Sequence, residues 1–132
     1  MARIEHLHVD VDSLNATLAF LETADRSLSC RGQGNDASFG SWVHVGDASN
    51  YIAMTEVKGA KAPAGLRHIG VVVEDLDGVM QRLQAAGFEP TDSSALDGHP
   101  YRRRVYYADP NGLPWEFIEY LTQNPELQNQ YD

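Results

Sequence analysis

Histidines and one late glutamate are the side chains of this sequence whose type and spacing could do chemistry. His6 and His68 each open a segment of alternating apolar residues, and Glu116 follows a turn-forming stretch near the end of the chain. Imidazole nitrogen and carboxylate oxygen are both good ligands for first-row divalent metal ions, and imidazole also titrates near neutral pH. These residue types therefore indicate metal binding, proton transfer or both.

The elements that would position these residues form a repeat. His68 lies 62 positions after His6 (68 − 6 = 62), and the same offset pairs further identical residues without a gap. They are Val9/Val71, Val11/Val73, Leu14/Leu76, Ala24/Ala86, Val43/Val105 and Asp47/Asp109. A constant offset across strand-like and helix-like segments indicates two copies of one supersecondary unit, neither of which buries its apolar face alone.

Each copy is predicted to run as strand, helix, strand, strand, strand. Polar and apolar residues alternate over 4–11, as in a half-buried strand, and apolar residues then recur at helical spacing from Leu14. Asp12 occupies the expected N-cap position, and Gly87 the position just after the second helix. The later strands are predicted near 28–32, 40–46 and 50–57 in the first copy, and near 88–92, 101–108 and 113–121 in the second.

This pattern predicts an α+β protein of one domain, which suits a chain of 132 residues. Module 1 is predicted over 1–57 and module 2 over 66–121, with a linker over 58–65 between them. The polar segment 122–132 is predicted to be a loose tail.

Composition and motifs exclude several classes of protein. With 10 basic and 19 acidic residues the net charge is −9, which argues against a nucleic-acid binder. No apolar run approaches the roughly 18 residues of a membrane span, and the chain opens on a strand pattern instead of a signal region. Cys30 is the single cysteine, so no internal disulfide forms, and a reducing cytoplasm is expected. Phosphate-binding glycine loops, nucleophile elbows and cysteine-pair zinc motifs do not occur.

One short basic run, Arg102-Arg103-Arg104, lies in the strand predicted near 101–108. Alternation along a strand would point these arginines to both faces of the sheet. The run could be a solvated strand edge, or it could contact an anion at the mouth of a pocket.

Three segments resemble the vicinal oxygen chelate superfamily, also called the glyoxalase/bleomycin resistance/dioxygenase superfamily. They are IEHLHVDVDSL at 4–14, LRHIGVVVEDLDGVMQRLQAAGF at 66–88 and VYYADPNGLPWEFIEY at 105–120. The resemblance implies that two tandem βαβββ modules form a curved mixed sheet around a cleft, with the helices on the outer face. It also implies a divalent metal held by the first and last strands of each module.

By position, the resemblance implies that His6, His68 and Glu116 hold a divalent ion, which could be Fe, Mn, Zn or Ni. The offset of 62 places Met54 at the position equivalent to Glu116, and a thioether is a poor ligand for hard ions. Glu56 lies two residues along the same strand face and could reach the fourth corner only if the register slips. Both are expected near the substrate pocket, and three ligands leave metal positions open for substrate or oxygen.

The remaining pocket candidates come from the same strands. His8 shares a strand face with the first proposed ligand and is the candidate for proton transfer, with a neutral role in lining the cleft as the alternative. His44 and its repeat counterpart Tyr106 are expected to line the pocket with Tyr120, or else to have hydrogen-bonded structural roles. Trp115 is expected to pack in the core or, as the lesser alternative, to line the pocket.

Two functions follow from the resemblance. The first is a divalent-metal-dependent dioxygenase, isomerase or lyase that acts on a small oxygen-rich molecule. The alternative is a metal-independent protein of the bleomycin-resistance type, which binds and sequesters a small molecule. A degenerate scaffold is a third possibility, and relatives of this length imply a homodimer.

Overall fold

The structure is a computed structural model that describes residues 1–131. Contacts between backbone positions divide the chain into two compact units. Unit 1 holds residues 1–66 together with the turn 109–113, and unit 2 holds residues 67–108 and the chain from 114 onward.

Unit 1 contains a four-stranded sheet and one helix. In chain order these are β1 (His6–Val11), α1 (Leu14–Ala24), β2 (Cys30–Asp36), β3 (Gly40–Gly46) and β4 (Tyr51–Glu56). The strand order is β1-β4-β3-β2, with β1 parallel to β4 and the other neighbours antiparallel. The first module is therefore βαβββ as predicted, although β2 runs further along the chain than the predicted 28–32.

The start of α1 differs from the prediction by one residue. Ser13, not Asp12, is the N-cap, because its side chain accepts a hydrogen bond from the Ala16 backbone N–H. The carboxylate of Asp12 instead accepts from the Gly59 N–H, after the end of β4. Buried residues of α1 and of the sheet, including Phe20, then form the core of this unit.

Unit 2 contains a three-stranded sheet and two helices. These are β5 (Ile69–Val72), α2 (Leu76–Ala85), β6 (Arg102–Ala108), β7 (Pro114–Tyr120) and the short α3 (Pro125–Gln128). The strand order is β5-β7-β6, with β5 parallel and β6 antiparallel to β7. A four-stranded and a three-stranded sheet, one in each module, agree with the predicted α+β fold of two tandem modules. The cleft between the modules stays a prediction.

Two predictions for unit 2 are corrected. The strand expected near 88–92 is absent from the described structure, and Asp92 makes only an isolated bridge to Tyr106. Pro90 lacks a backbone N–H for a strand ladder, and the Asp92 carboxylate turns the chain by accepting from the Ser94 N–H. The segment after Leu121 is also not a loose tail throughout, since it contains α3.

The helix α2 begins and ends as the sequence indicates. Asp75 is its N-cap and accepts from the Gly78 N–H. Gly87 follows the helix with φ of 91°, a left-handed conformation that residues with a Cβ rarely adopt. No helix within residues 1–131 is long and apolar enough to cross a membrane.

Candidate functional site

The sheet of unit 2 has two chemically different faces. Glu119 of β7 accepts from the Leu76 N–H at the start of α2, at 3.3 Å, and Arg103 of β6 pairs with Asp77 of the same helix. Because side chains alternate along a strand, the opposite face carries Glu116, Ile118 and Tyr120 of β7 and Arg102, Arg104 and Tyr106 of β6. We call this face, opposite α2, the site face.

His68 and Glu116 meet on the site face. His68 precedes β5 directly, and its Nε2 lies 2.9 Å from Oε2 of Glu116. The Glu116 residue is only 6% exposed, whereas the side chain of His68 is 37% exposed. The structure thus brings together two of the three residues that the sequence predicts as metal ligands.

Two further side chains hold the other oxygen of this carboxylate. The Tyr106 hydroxyl donates to Glu116 Oε1 at 2.9 Å, and Arg104 Nη1 lies 3.6 Å from the same oxygen. Burial raises the pKa of Tyr106, and the hydrogen bond to Glu116 raises it further. Tyr106 therefore keeps its proton at neutral pH and stays a donor, which leaves Oε2 to face His68.

The position beside this carboxylate has no side chain. Gly70 of β5 pairs with Glu116, and a Cβ built on it would lie 3.8 Å from Glu116 Oε2 and 3.4 Å from Ile118 Cδ1.

In unit 1 the corresponding face carries a row of rings. His6 stacks on Tyr51 with centroids 4.8 Å apart, Tyr51 stacks on His44 at 4.6 Å, and His44 contacts Trp42 at 4.8 Å. The guanidinium of Arg31 lies 4.1 Å above the Tyr51 ring. Burial lowers the pKa of His44, and the positive charge of Arg31 lowers it further. The row therefore favours a neutral His44.

The strand register corrects the position assigned to Met54. Glu116 pairs with Gly70 and Tyr106, and the residue that pairs with their repeat counterparts, His8 and His44, is Ala53. The offset between the modules is therefore 63 in the last strand (116 − 53 = 63). Met54 points to the opposite face of the sheet and is fully buried. It is a core residue of unit 1.

Glu56 supports the same register independently. Its Oε2 accepts from the Leu14 N–H at 3.0 Å, at the start of α1, just as Glu119 accepts from Leu76 at the start of α2. Glu56 and Glu119 are also 63 positions apart (119 − 56 = 63). Glu56 therefore lies on the helix face and binds a helix N-terminus, so it does not take the fourth metal corner within unit 1.

The other predicted pocket residues divide between the two faces. Trp115 is fully buried on the helix side of β7, beside Ile69, and is a core residue. Tyr120 lies on the site face, where it pairs with Arg102. His8 lies on the face of unit 1 that carries the row of rings, and its Nε2 lies 2.9 Å from Thr55 Oγ1. Its role in proton transfer stays a prediction.

The third predicted ligand belongs to unit 1. The side chain of His6 is 44% exposed, and its Nδ1 lies 3.3 Å from Glu5 Oε1. Within residues 1–131, no three or more His, Cys, Asp and Glu side chains form a group that could hold a metal ion. The described geometry thus supplies a His–Glu pair, and coordination by His6 stays a prediction.

Sequence reasoning missed several contributors to these faces. Arg104 was predicted only as part of a basic run, although strand alternation from Tyr106 places both on one face. The roles of Tyr51 and Ala53 depend on the register of β4, and neither residue type signals a function by itself.

Several solved structures have a similar fold. A possible glyoxalase from Bacillus cereus is 22% identical, with a TM-score of 0.65 over 89% of this chain and 99% of that chain. A glyoxalase family protein from the same organism gives a TM-score of 0.72 at 18% identity, over 92% and 96% of the two chains. The fosfomycin resistance protein FosX from Listeria monocytogenes, complexed with Mn(II) and sulfate, gives 0.69 at 18% identity, over 98% and 99%.

At the level of sequence, comparison with curated proteins gives no match. The sequence model of the glyoxalase/bleomycin resistance protein/dioxygenase superfamily, however, matches residues 3–117, which include most of both repeat modules and Glu116. The chain therefore belongs to the glyoxalase/bleomycin resistance protein/dioxygenase superfamily.

Proposed function

We propose that this protein is a divalent-metal-dependent enzyme that acts on a small oxygen-rich molecule. His68 and Glu116 would hold the metal, with His6 of unit 1 as the third ligand. The reaction would be of the dioxygenase, isomerase or lyase type.

The observation that carries this proposal is the 2.9 Å separation of His68 Nε2 and Glu116 Oε2. Nitrogen and carboxylate ligands each lie about 2.0–2.2 Å from a first-row divalent ion. Two such ligands at a right angle around one ion are therefore about 3 Å apart. The two donor atoms are therefore spaced as neighbouring ligands of one ion would be.

The surroundings of Glu116 support the same role. Metal-binding carboxylates are usually held by outer hydrogen bonds that fix their orientation. Tyr106 and Arg104 both contact Oε1, so Oε2 is the oxygen presented to His68. A buried carboxylate with one oxygen fixed and the other facing an imidazole suits metal binding better than a solvated glutamate would.

His6 is the proposed third ligand because it is the repeat counterpart of His68. Two imidazoles and one carboxylate leave further positions open on the ion. The metal would hold vicinal oxygens of the substrate and stabilise negative charge that develops on them. His8, on the same strand face as His6, would accept or return a proton. Mn(II) in the FosX structure supports a divalent ion in this fold, with Fe, Zn and Ni as the other candidates.

One observation favours the metal-independent alternative. The rings of Trp42, His44, Tyr51 and His6 form a partly exposed row. Flat rings can hold a planar ligand by stacking, and a protein that sequesters small molecules needs no metal.

Metal analysis of the full-length protein tests the proposal. We expect about one equivalent of a divalent ion after purification without chelator, in keeping with a single His–Glu–His set. After chelation, calorimetric titration with Mn²⁺, Zn²⁺ or Ni²⁺ should show binding that His68→Ala weakens beyond the roughly 10–100-fold cost of losing an outer-shell partner. The side chain of His68 is substantially exposed, so this variant should fold.

His99→Ala is the matched control, because His99 lies in the loop before β6 and contacts the backbone of Gln130. It should bind metal as the wild type does. Unchanged metal affinity in His68→Ala would refute the ligand assignment. Ligand-induced stabilisation without metal would then favour the sequestering protein.

A further inference from the structure

Arg102 is a buried cation that has no anionic partner among residues 1–131. The residue is 9% exposed, and its Nε has no hydrogen-bond acceptor within the described chain. Its Nη1 donates to the Gln128 carbonyl at 3.1 Å, and its guanidinium lies 4.9 Å from the centre of the Tyr131 ring. A buried charge without a counter-charge is costly, so this side chain lacks the partner that its burial calls for.

The neighbouring arginines show the difference. Arg103, on the helix face, pairs with Asp77 at 3.0 Å and with Glu119 at 3.5 Å. Arg102 is in no ion pair with a described carboxylate. Among the described residues, the helix face thus supplies carboxylates to its arginine, whereas the site face supplies none to Arg102.

Arg104 supplies a second cation on the same face. It lies two residues from Arg102 along β6, so the two Cα atoms are about 7 Å apart. Its side chain is 37% exposed, and its only described ion pair is the long 3.6 Å contact with Glu116. Its guanidinium therefore has donors left for a further acceptor, between Arg102 and the proposed metal ligands.

We propose that Arg102 and Arg104 form an oxyanion-binding subsite for a carboxylate, sulfate or phosphate group of the substrate. Two guanidinium groups on one strand face suit such a group, because each offers a planar fork of N–H donors. This inference rests on the proposed function. The subsite would bind the acid group at one end of the substrate, whose other end would bind the metal at Glu116.

The register indicates the length of that substrate. Arg102 pairs with Tyr120, four residues along β7 from Glu116, which corresponds to about 13 Å along the strand. Arginine side chains bridge part of that distance. The substrate would therefore be elongated, with its acid group several bonds from the oxygens that the metal holds.

The end of the chain covers this subsite. Gln128 of α3 and Tyr131 contact Arg102, and the segment is held by His99 Nε2 near the Gln130 carbonyl at 3.0 Å. A four-residue helix and a few hydrogen bonds cost little to displace. An anion that binds Arg102 would therefore shift this segment, and amide signals of 124–131 should report the binding.

The test titrates the full-length protein with inorganic phosphate, sulfate or acetate at constant ionic strength, followed by amide chemical shifts. Chelated and metal-loaded protein are both used, so that binding at a metal is recognised. Arg104→Gln and Arg102→Gln should each weaken the binding of the preferred anion by at least about 10-fold, the cost of one charge-assisted hydrogen bond. The three anions separate a carboxylate site from a phosphate or sulfate site.

Arg103→Gln is the matched control, because it removes the same charge from the opposite face and should keep the anion affinity. Arg104→Gln decides the matter even if the buried Arg102→Gln variant does not fold, since Arg104 is partly exposed. Equal affinity in Arg104→Gln and Arg103→Gln would overturn the subsite, and so would binding that appears only with metal present. If Arg104→Gln loses anion affinity while the wild-type protein binds no metal, the subsite would stand and the metal-dependent enzyme would be rejected.

Discussion

The turns of the last hairpins in the two modules differ in length by a single residue, and the side chains on their functional faces differ as well. Residues 47–50 connect Gly46 to Tyr51 in unit 1, whereas residues 109–113 connect Ala108 to Pro114 in the second module. The longer turn raises the offset from 62 to 63. Since successive side chains of a strand face opposite ways, one residue decides which of them meets the functional face.

The two faces have diverged at each matched position. Ala53 stands where the second module has Glu116, and His44 where it has Tyr106. The first module therefore offers rings, while the second offers a carboxylate, its tyrosine donor and arginines. In these two modules, matched positions therefore share the orientation of the side chain but not the type of residue.

The largest effect tests whether Met54 belongs to the core or to the functional face. Met54→Ala should lower the free energy of unfolding by about 2–5 kcal/mol, the usual cost of emptying a packed methionine site. Urea denaturation measures this loss, and calorimetry under native conditions should show unchanged metal affinity. A variant with full stability and weakened metal binding would restore Met54 as the counterpart of Glu116.

An intermediate effect tests the longer turn. Asn111 accepts from the Ser13 N–H at 2.9 Å, and its side-chain N–H groups donate to the Ser13 carbonyl and to the Thr17 hydroxyl. Asn111→Ala removes the acceptor of the Ser13 N–H, while the Ser13 carbonyl still accepts from the Thr17 N–H and hydroxyl. Losing this acceptor should cost about 1–3 kcal/mol. Ser49 is its counterpart in the shorter turn, and Ser49→Ala should stay within about 0.5 kcal/mol of the wild type. Equal losses in the two variants would contradict the difference between the turns.

The smallest effect concerns pH. Burial holds the pKa of His44 below its usual value, so the folded protein binds this proton less readily than the unfolded chain does. The stability that this contributes is present above the ordinary histidine pKa and is lost as the pH falls through the lowered one. His44→Gln should therefore lose less stability than the wild type between pH 7.5 and 5, measured by urea midpoints. His99→Gln is the control, and a decline as steep in His44→Gln as in the wild type would contradict this role.

The repeat and the α+β modules could be predicted because they depend on patterns along the chain. Alternation placed β1, and helical spacing placed α1 and α2. The proximity of His68 to Glu116 agrees with the sequence, since His68 directly precedes β5 and Glu116 lies on β7, where the family resemblance implies metal ligands. The family match includes the segments that carry the resemblance, up to residue 117 of the last one.

The predictions for Met54, for 88–92 and for Asp12 are wrong because contacts in the folded chain, which the local sequence pattern does not show, decide these positions. A constant offset of 62 takes no account of the extra residue in the second turn. The sequence therefore predicts Met54 as the counterpart of Glu116, where the structure has Ala53. The segment 88–92 resembles a strand by repeat position, but Pro90 and the Asp92 turn prevent a ladder. Asp12 and Ser13 are both good caps, and only the Gly59 contact of Asp12 decides between them.

Gly70 has a consequence for how a molecule could reach Glu116. Its φ is not positive, so the backbone itself does not require glycine there. Because Gly70 has no side chain, one oxygen of the carboxylate can be approached from this exposed position. The matched position in unit 1 carries the imidazole of His8. A larger side chain at this exposed position would lie against Oε2 of Glu116, so the choice of glycine keeps the largely buried carboxylate within reach of a small molecule.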